Sequence, residues 1–153
     1  MPQIIVLRGV PGSGKTTWAR EHYPSFKRVN KDDLRAMLDD GEYSLANETF
    51  VREAQIAIIR LAAWHMRAVV VDDTNINPDH IRTFRELAAE LGYAFRIVDM
   101  GTPLEECIRR DALRARPIGA VRIQEMWDRL EACKAAPSDE EMLSLMRDAV
   151  KRL

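Results

Sequence analysis

The stretch Gly9-Val10-Pro11-Gly12-Ser13-Gly14-Lys15-Thr16 decides how this chain is read. It follows the apolar run Ile4-Ile5-Val6-Leu7 and opens a helix-forming segment. Strand, glycine loop and helix in that order make a phosphate-binding loop of the Walker A type. The glycines let successive backbone N–H groups turn toward phosphate oxygens, and the helix start adds partial positive charge there. Lys15 has the reach and charge to meet the outer phosphates, and the Thr16 hydroxyl suits a Mg²⁺ shell. Gly12, Ser13, Gly14, Lys15, Thr16 and Thr17 are therefore the expected nucleotide-binding set, for ATP or GTP. A glycine-rich turn without this role would leave Lys15 and Thr16 unexplained.

The 153 residues suit one domain, 1–153, with no room for a second. Apolar residues make up 46% of the chain, enough for a core, and charged residues 31%, for a net charge of -1. Such a balance argues against a protein held to nucleic acid by global charge, but leaves room for a local basic groove. Cys107 and Cys133 lack the spacing of paired thiols, and His22, His65 and His80 lack zinc spacing. The N-terminus runs at once into a strand, so no signal peptide is expected. No apolar run approaches the ~20 residues that span a bilayer. The expectation is a soluble, cytoplasmic chain with no membrane contact.

Working outward from the loop, Gln3 to Leu7 reads as a strand, Gly14 to His22 as a helix, and Phe26 to Val29 as a second strand. Asn30 has the character of a helix cap, with Asp33 orienting the start of a short helix, Asp32 to Asp39. Glu48 to Met66 is a long helix with Phe50, Ala54, Ile58 and Leu61 or Ala62 on one apolar stripe. Ala68 to Val71 suits a central parallel strand covered on both faces. Helices follow from Pro78 to Gly92, from Pro103 to about Ala115, from Val121 to Ala135 and, after a break at Pro137-Ser138, from Asp139 to Arg152. Tyr93 to Val98 is the fourth strand. Alternating strands and helices predict an α/β fold with a parallel sheet and a ligand site at the carboxyl ends of the strands.

Three further elements carry candidate chemistry. Asp72-Asp73 closes the Val69-Val70-Val71 strand, where a carboxylate can meet a metal-bound water or orient an arginine. Adjacent strand residues face opposite ways, which favours one of them, Asp73, for the site. In Asn30-Lys31-Asp32-Asp33-Leu34-Arg35, Asp32 and Arg35 share a helix face. One suits a general base for a hydroxyl, the other a clamp for an anionic substrate, while capping alone accounts for Asp33. Arg109, Arg110, Arg114, Arg116 and Arg122 form a basic lid segment at about 108–122, with Arg110 and Arg114 on one face to close over phosphates. Trp64 and Trp127 read as core or groove-lining, and Met142, Leu143, Met146 and Val150 as a packing stripe shared with Leu145 and Ala149.

Taken together, Gly9 to Glu21, Val29 to Arg35, Asp72 to Asp79 and, more loosely, Cys107 to Pro117 with Ile123 to Met126 resemble the kinase domain of the phage-type polynucleotide 5′-hydroxyl kinases. The resemblance spans about Gln3 to Trp127 and implies a P-loop kinase fold, with ATP and Mg²⁺ as cofactors and 5′-hydroxyl ends of DNA or RNA as partners. It implies Asp32 as general base, Arg35 on the acceptor 3′-phosphate and Asp73 on the acceptor side. It implies Lys15 and Thr16 on the donor phosphates and metal, and Arg110 and Arg114 in the lid. The lid segment is about one residue shorter here between Arg114 and Met126, which loosens the match at Arg114. No phosphatase motif accompanies the kinase motifs, so the expectation is that phosphatase or ligase steps come from another polypeptide or from a C-terminal region outside these residues. The competing expectation is a P-loop kinase acting on a hydroxyl of a small molecule such as a nucleoside, sugar or antibiotic. A non-catalytic nucleotide switch is the third.

Overall fold

Ile4, Ile5, Val6 and Leu7 are wholly buried in β1 (Gln3–Arg8), because this strand is covered on both faces. The computed structural model describes residues 2–136 and 139–151. The other strands are β2 (Lys27–Val29), β3 (Val69–Val71) and β4 (Ala94–Asp99). Among the described residues they form one parallel sheet in the order β2-β3-β1-β4. Val6 pairs with Val71 on one side and Ile97 on the other. The glycine loop after β1 and the carboxylates after β3 thus open side by side at one edge of the sheet.

The helices are α1 (Lys15–His22), α2 (Lys31–Asp39), α3 (Leu45–Trp64), α4 (Pro78–Leu91), α5 (Leu104–Ala112), α6 (Ala120–Ala135) and α7 (Asp139–Lys151). One face of the sheet presents Ile4, Val6, Val69 and Val71 to α3 and α4, which bury Val51, Ile59, Phe84 and Leu87 against it. The opposite face packs Ile5, Leu7 and Val70 on Ala19 of α1 and on Trp18, Tyr23 and Phe26. A third cluster, Val10 with Cys107, Ile123 and Leu130, ties the glycine loop to α5 and α6. The expected α/β P-loop architecture is therefore present.

Several local expectations differ from the structure. α3 begins at Leu45 because the Ser44 hydroxyl accepts from Asn47 N at 3.0 Å and caps the helix there. Its buried stripe is Val51, Gln55, Ile59 and Ala62, whereas Phe50 and Leu61 are 60% and 59% exposed. A polar residue on the inner stripe and apolar ones beside it disguised the true face; Gln55 is drawn inward by Asp73. Trp64 is 84% exposed and outside the core, and Met142, Leu143 and Met146 are exposed on α7. α5 stops at Ala112, because the buried Asp111 carboxylate accepts from Ile118 N and Gly119 N and folds the following loop back. The break at Pro137-Ser138, the end at Arg152 and the side chains of Leu145, Ala149 and Val150 lie outside the described residues.

Candidate active site

The glycine loop owes its shape to close backbone approach. Gly12 has φ +81, and a Cβ there would stand 2.3 Å from the Cys107 carbonyl oxygen of α5. Only glycine fits. The Thr102 hydroxyl donates to Ser13 O at 2.8 Å, and Gly9 N donates to Thr74 O at 3.0 Å, so the loop is held from β4's and β3's connections at once. Lys15 Nζ donates to Gly9 O at 2.9 Å and Val10 O at 3.0 Å. Burial pulls the Lys15 ammonium down to about 8; Asp72 opposes this and Arg114 adds to it. A strongly desolvated cation of this kind gains more from an arriving phosphate than an exposed lysine would.

Beside the loop, Thr16 Oγ1 donates to Asp72 Oδ2 at 2.7 Å. Arg28 Nη1 donates to the same oxygen at 2.9 Å, while its other nitrogen meets Asp33. Asp72 is 1% exposed, and its Oδ1 is buried with no hydrogen-bond partner. A hydroxyl and a carboxylate with one unsatisfied oxygen make a hard oxygen donor set that fits Mg²⁺. Among the described residues no group of three or more His, Cys, Asp or Glu gathers to hold a metal. Mg²⁺ in phosphoryl transfer takes one or two protein oxygens plus phosphate and water. Asp72 was the carboxylate set aside in the sequence; its side chain, not that of Asp73, reaches Thr16.

Asp73 does different work. It is buried, accepting from Lys31 N at 2.8 Å through Oδ1 and from Gln55 Nε2 at 2.6 Å through Oδ2. Burial raises its pKa, and these two donors pull the other way. It thereby pins the first turn of α2 to α3. Asn30 caps that turn, its Oδ1 accepting from Asp33 N at 3.0 Å and its Nδ2 donating to Asp72 O. The Asp33 carboxylate turns to Arg28 rather than to the helix start. Arg35 donates to Asp32 Oδ1 at 2.5 Å and to both Glu48 oxygens, Nε to Oε2 at 2.7 Å and Nη2 to Oε1 at 2.8 Å. Glu48 raises the pKa of Arg35, and Arg35 in turn lowers that of Glu48. The two-pronged grip orients the guanidinium plane. Neither Glu48 nor Gln55 stands out in the sequence, because nothing local marks either as a partner of Arg35 or Asp73.

On the far side, Arg110 Nη1 reaches Gly12 O at 3.4 Å, and its Nε donates to Glu106 Oε1 at 2.7 Å. Arg109 and Arg110 together hold the Glu106 carboxyl well below its usual range. Arg114 lies 3.8 Å from Asp111 Oδ1. The Arg110 and Arg114 side chains are 45% and 46% exposed, and a solvent-screened partner such as Glu106 holds Arg110 only weakly, so Arg110 can exchange it for a phosphate. One cleft of about 890 Å³ is lined by the loop from Pro11 to Trp18, by Asp32 and Arg35, by Asp72 and Asp73, and by Arg110 and Arg114. The residues expected to meet nucleotide or acceptor all line this cleft, whereas Arg109 and Arg122 of the lid segment turn to Glu106 and Glu125 instead.

A family described as AAA domain matches residues 4–133. The chain belongs to this family. It is an α/β P-loop kinase-type domain, related in sequence and structure to polynucleotide kinase modules of RNA repair. A candidate bifunctional polynucleotide kinase/RNA ligase of Autographa californica nuclear polyhedrosis virus is 30% identical over 127 residues, covering 74% of this chain and 18% of that protein. An L-seryl-tRNA(Sec) kinase of Methanococcus maripaludis is 24% identical over 133 residues, covering 84% of this chain and 52% of the relative. A chain of the Pnkp1/Rnl/Hen1 RNA repair complex superposes with TM-score 0.70 and 25% identity, over 87% of this chain and 45% of that one. The chain thus spans about half or less of the length of these relatives. These relatives place the domain in the P-loop kinase and phosphotransferase superfamily. No described helix is long and apolar enough to cross a membrane.

Proposed function

We propose that this domain transfers the γ-phosphate of ATP to the 5′-hydroxyl end of DNA or RNA. The observation that supports this most is the Asp32–Arg35 pair on the wall of the cleft that Lys15 and Thr16 share. A hydroxyl acceptor needs a carboxylate near its proton, and an acceptor carrying phosphate needs a fixed cation beside it. Asp32, with its side chain 86% exposed, is the general base. Arg35, oriented by Glu48, takes the 3′-phosphate of the acceptor nucleotide. Asp73 serves the acceptor side by holding the start of α2, where both residues sit.

Gly12, Ser13, Gly14, Lys15, Thr16 and Thr17 hold the donor nucleotide, and Arg110 and Arg114 close on its phosphates. Mg²⁺, held by Thr16 with Asp72, would neutralise charge on the transferring phosphate when bound. The free thiols of Cys107 and Cys133 fit a reducing, cytoplasmic setting. A ligase or phosphatase, in the same or a separate polypeptide, would complete the repair of an end, and the ligase in the viral relative's name supports this.

The test is transfer of labelled γ-phosphate with Mg²⁺, from ATP and, in parallel, GTP. The acceptors are a 5′-hydroxyl DNA oligomer, a matched RNA oligomer, a nucleoside 3′-monophosphate and a plain nucleoside. Label on the oligomers and the 3′-monophosphate is the expected result. Label on the plain nucleoside alone, or on none of the phosphate-bearing acceptors, would overturn the reading in favour of a small-molecule kinase.

A further inference from the structure

A second cleft of about 580 Å³ lies between α3 and α4. Lys31 lines both this cleft and the active-site cleft. Gln55, which lines the second cleft, donates to Asp73, which lines the first. The two spaces therefore meet along a wall formed by Lys31 and the Gln55–Asp73 bond.

The character of the second cleft is unlike that of the first. Its floor includes Ile56 and Phe84, both members of the apolar cluster under the sheet. Its rim carries Lys31, Arg52, Arg60 and His80 against one acid, Glu53. Arg60 is spoken for by Glu90. Arg52 has no ion pair or hydrogen bond among the described residues. Lys31 bonds Glu48 at 3.4 Å, sharing that carboxylate with Arg35, and the Asp73 carboxylate interacts with it as well. His80 feels both cations: after burial, Lys31 and Arg52 are what lower its pKa, against the weaker opposing pull of Asp79 and Glu48. Arg52 thus stands as exposed positive charge with no partner among the described residues, beside a Lys31 that shares its carboxylates with other donors, over an apolar floor. A cleft with that pairing complements a group that is anionic at one end and flat and apolar at the other.

We propose that the α3–α4 cleft receives the acceptor strand beyond its reacting nucleotide, with a backbone phosphate at Lys31 and Arg52 and a base against Ile56 and Phe84. The inference rests on the polynucleotide reading above and extends it. A strand leaving Arg35 passes Lys31, the residue common to both clefts. The net charge of -1 is then no obstacle to strand binding, because the contact is local.

The test compares a 5′-hydroxyl hexanucleotide with a nucleoside 3′-monophosphate as acceptors, using the wild type, Arg52→Glu, His80→Ala and the control Arg129→Glu, an exposed charge on α6 away from the cleft. For Arg52→Glu, KM for the hexamer is expected to rise about tenfold with kcat unchanged, while KM for the 3′-monophosphate and for ATP stays within twofold. The salt dependence of the hexamer KM should become shallower by about 0.7 in log–log slope, the share of one single-strand phosphate. His80→Ala, which keeps Lys31 and Arg52, should stay within threefold and so report an intact cleft. A hexamer KM that Arg52→Glu leaves unchanged would overturn the proposal and give the cleft to a small molecule or a protein segment. An equal rise in Arg129→Glu would overturn it as well, because net charge would then be the cause. Absence of transfer to both acceptors by the wild type is a different failure: it removes the polynucleotide reading, and this inference with it.

Discussion

In the proposed reading, the donor side and the acceptor side of the cleft are built by different means. On the donor side, one run of residues from Gly12 to Thr17 supplies the loop, the lysine and the hydroxyl, and its shape is enforced by the Cys107 carbonyl of α5 and the Thr102 hydroxyl just before that helix. On the acceptor side, α2 supplies Asp32 and Arg35, but their setting comes from elsewhere. Arg35 is gripped by Glu48, 13 residues away, Lys31 N by Asp73, 42 residues away, and Asp73 by Gln55, 18 residues away. Phosphate is the same in every nucleoside triphosphate, so a backbone cradle can serve many kinases. An acceptor differs from one kinase to the next, and a network of side chains from separate elements can be altered one member at a time. The fold can therefore keep its donor site while the acceptor changes.

The comparison breaks most sharply on Lys15 and Asp32. Lys15→Ala should lower transfer to every acceptor by about 10³-fold, with weakened ATP binding, because a cation on the donor phosphates is lost. Asp32→Ala should lower kcat by about 10²-fold or more while equilibrium ATP binding stays at the wild-type level. Titration of ATP binding alongside turnover separates the two, and near-normal turnover in Asp32→Ala would remove it as the base.

A smaller effect belongs to the donor side alone and is read in stability. Lys15 titrates near 8 in the folded protein and near 10.5 when unfolded, so between these values the unfolded chain binds more protons. Stability without nucleotide should therefore rise as pH climbs from 8 to 10.5, by about 3 kcal/mol at most relative to Lys15→Met, which lacks the titrating group. Urea unfolding of both proteins at pH 7.5 and at about pH 10 measures the difference; parallel curves would show that Lys15 is not held at a desolvation cost. The smallest effect sharpens the acceptor side. Glu48→Gln leaves the helix intact but weakens the grip on Arg35, and KM for a 3′-phosphorylated acceptor should rise about fivefold, roughly 1 kcal/mol, with KM for ATP unchanged. A rise in both would mean that Glu48 supports the whole cleft and not the acceptor corner.

The sequence by itself determined the glycine loop, the parallel α/β order and the identity of Lys15, Thr16, Asp32, Arg35, Arg110 and Arg114 as candidates. Each of these signals is local. A turn with positive φ needs glycine at its own position, an apolar run of four marks a strand buried on both faces, and two charges three apart share a helix face. Tertiary structure alone decided how the charges are partnered. The pair Asp72-Asp73 could be split by strand alternation, but only packing showed Asp72 turned to Thr16 and Arg28 and Asp73 turned to Lys31 and Gln55. The buried stripe of α3 was misplaced by one residue for the same reason: Gln55 enters the core because a carboxylate from another element waits there. A buried polar group must find a partner, and the partner is supplied by whichever element the fold brings alongside. Hydrophobic periodicity carries no record of that choice.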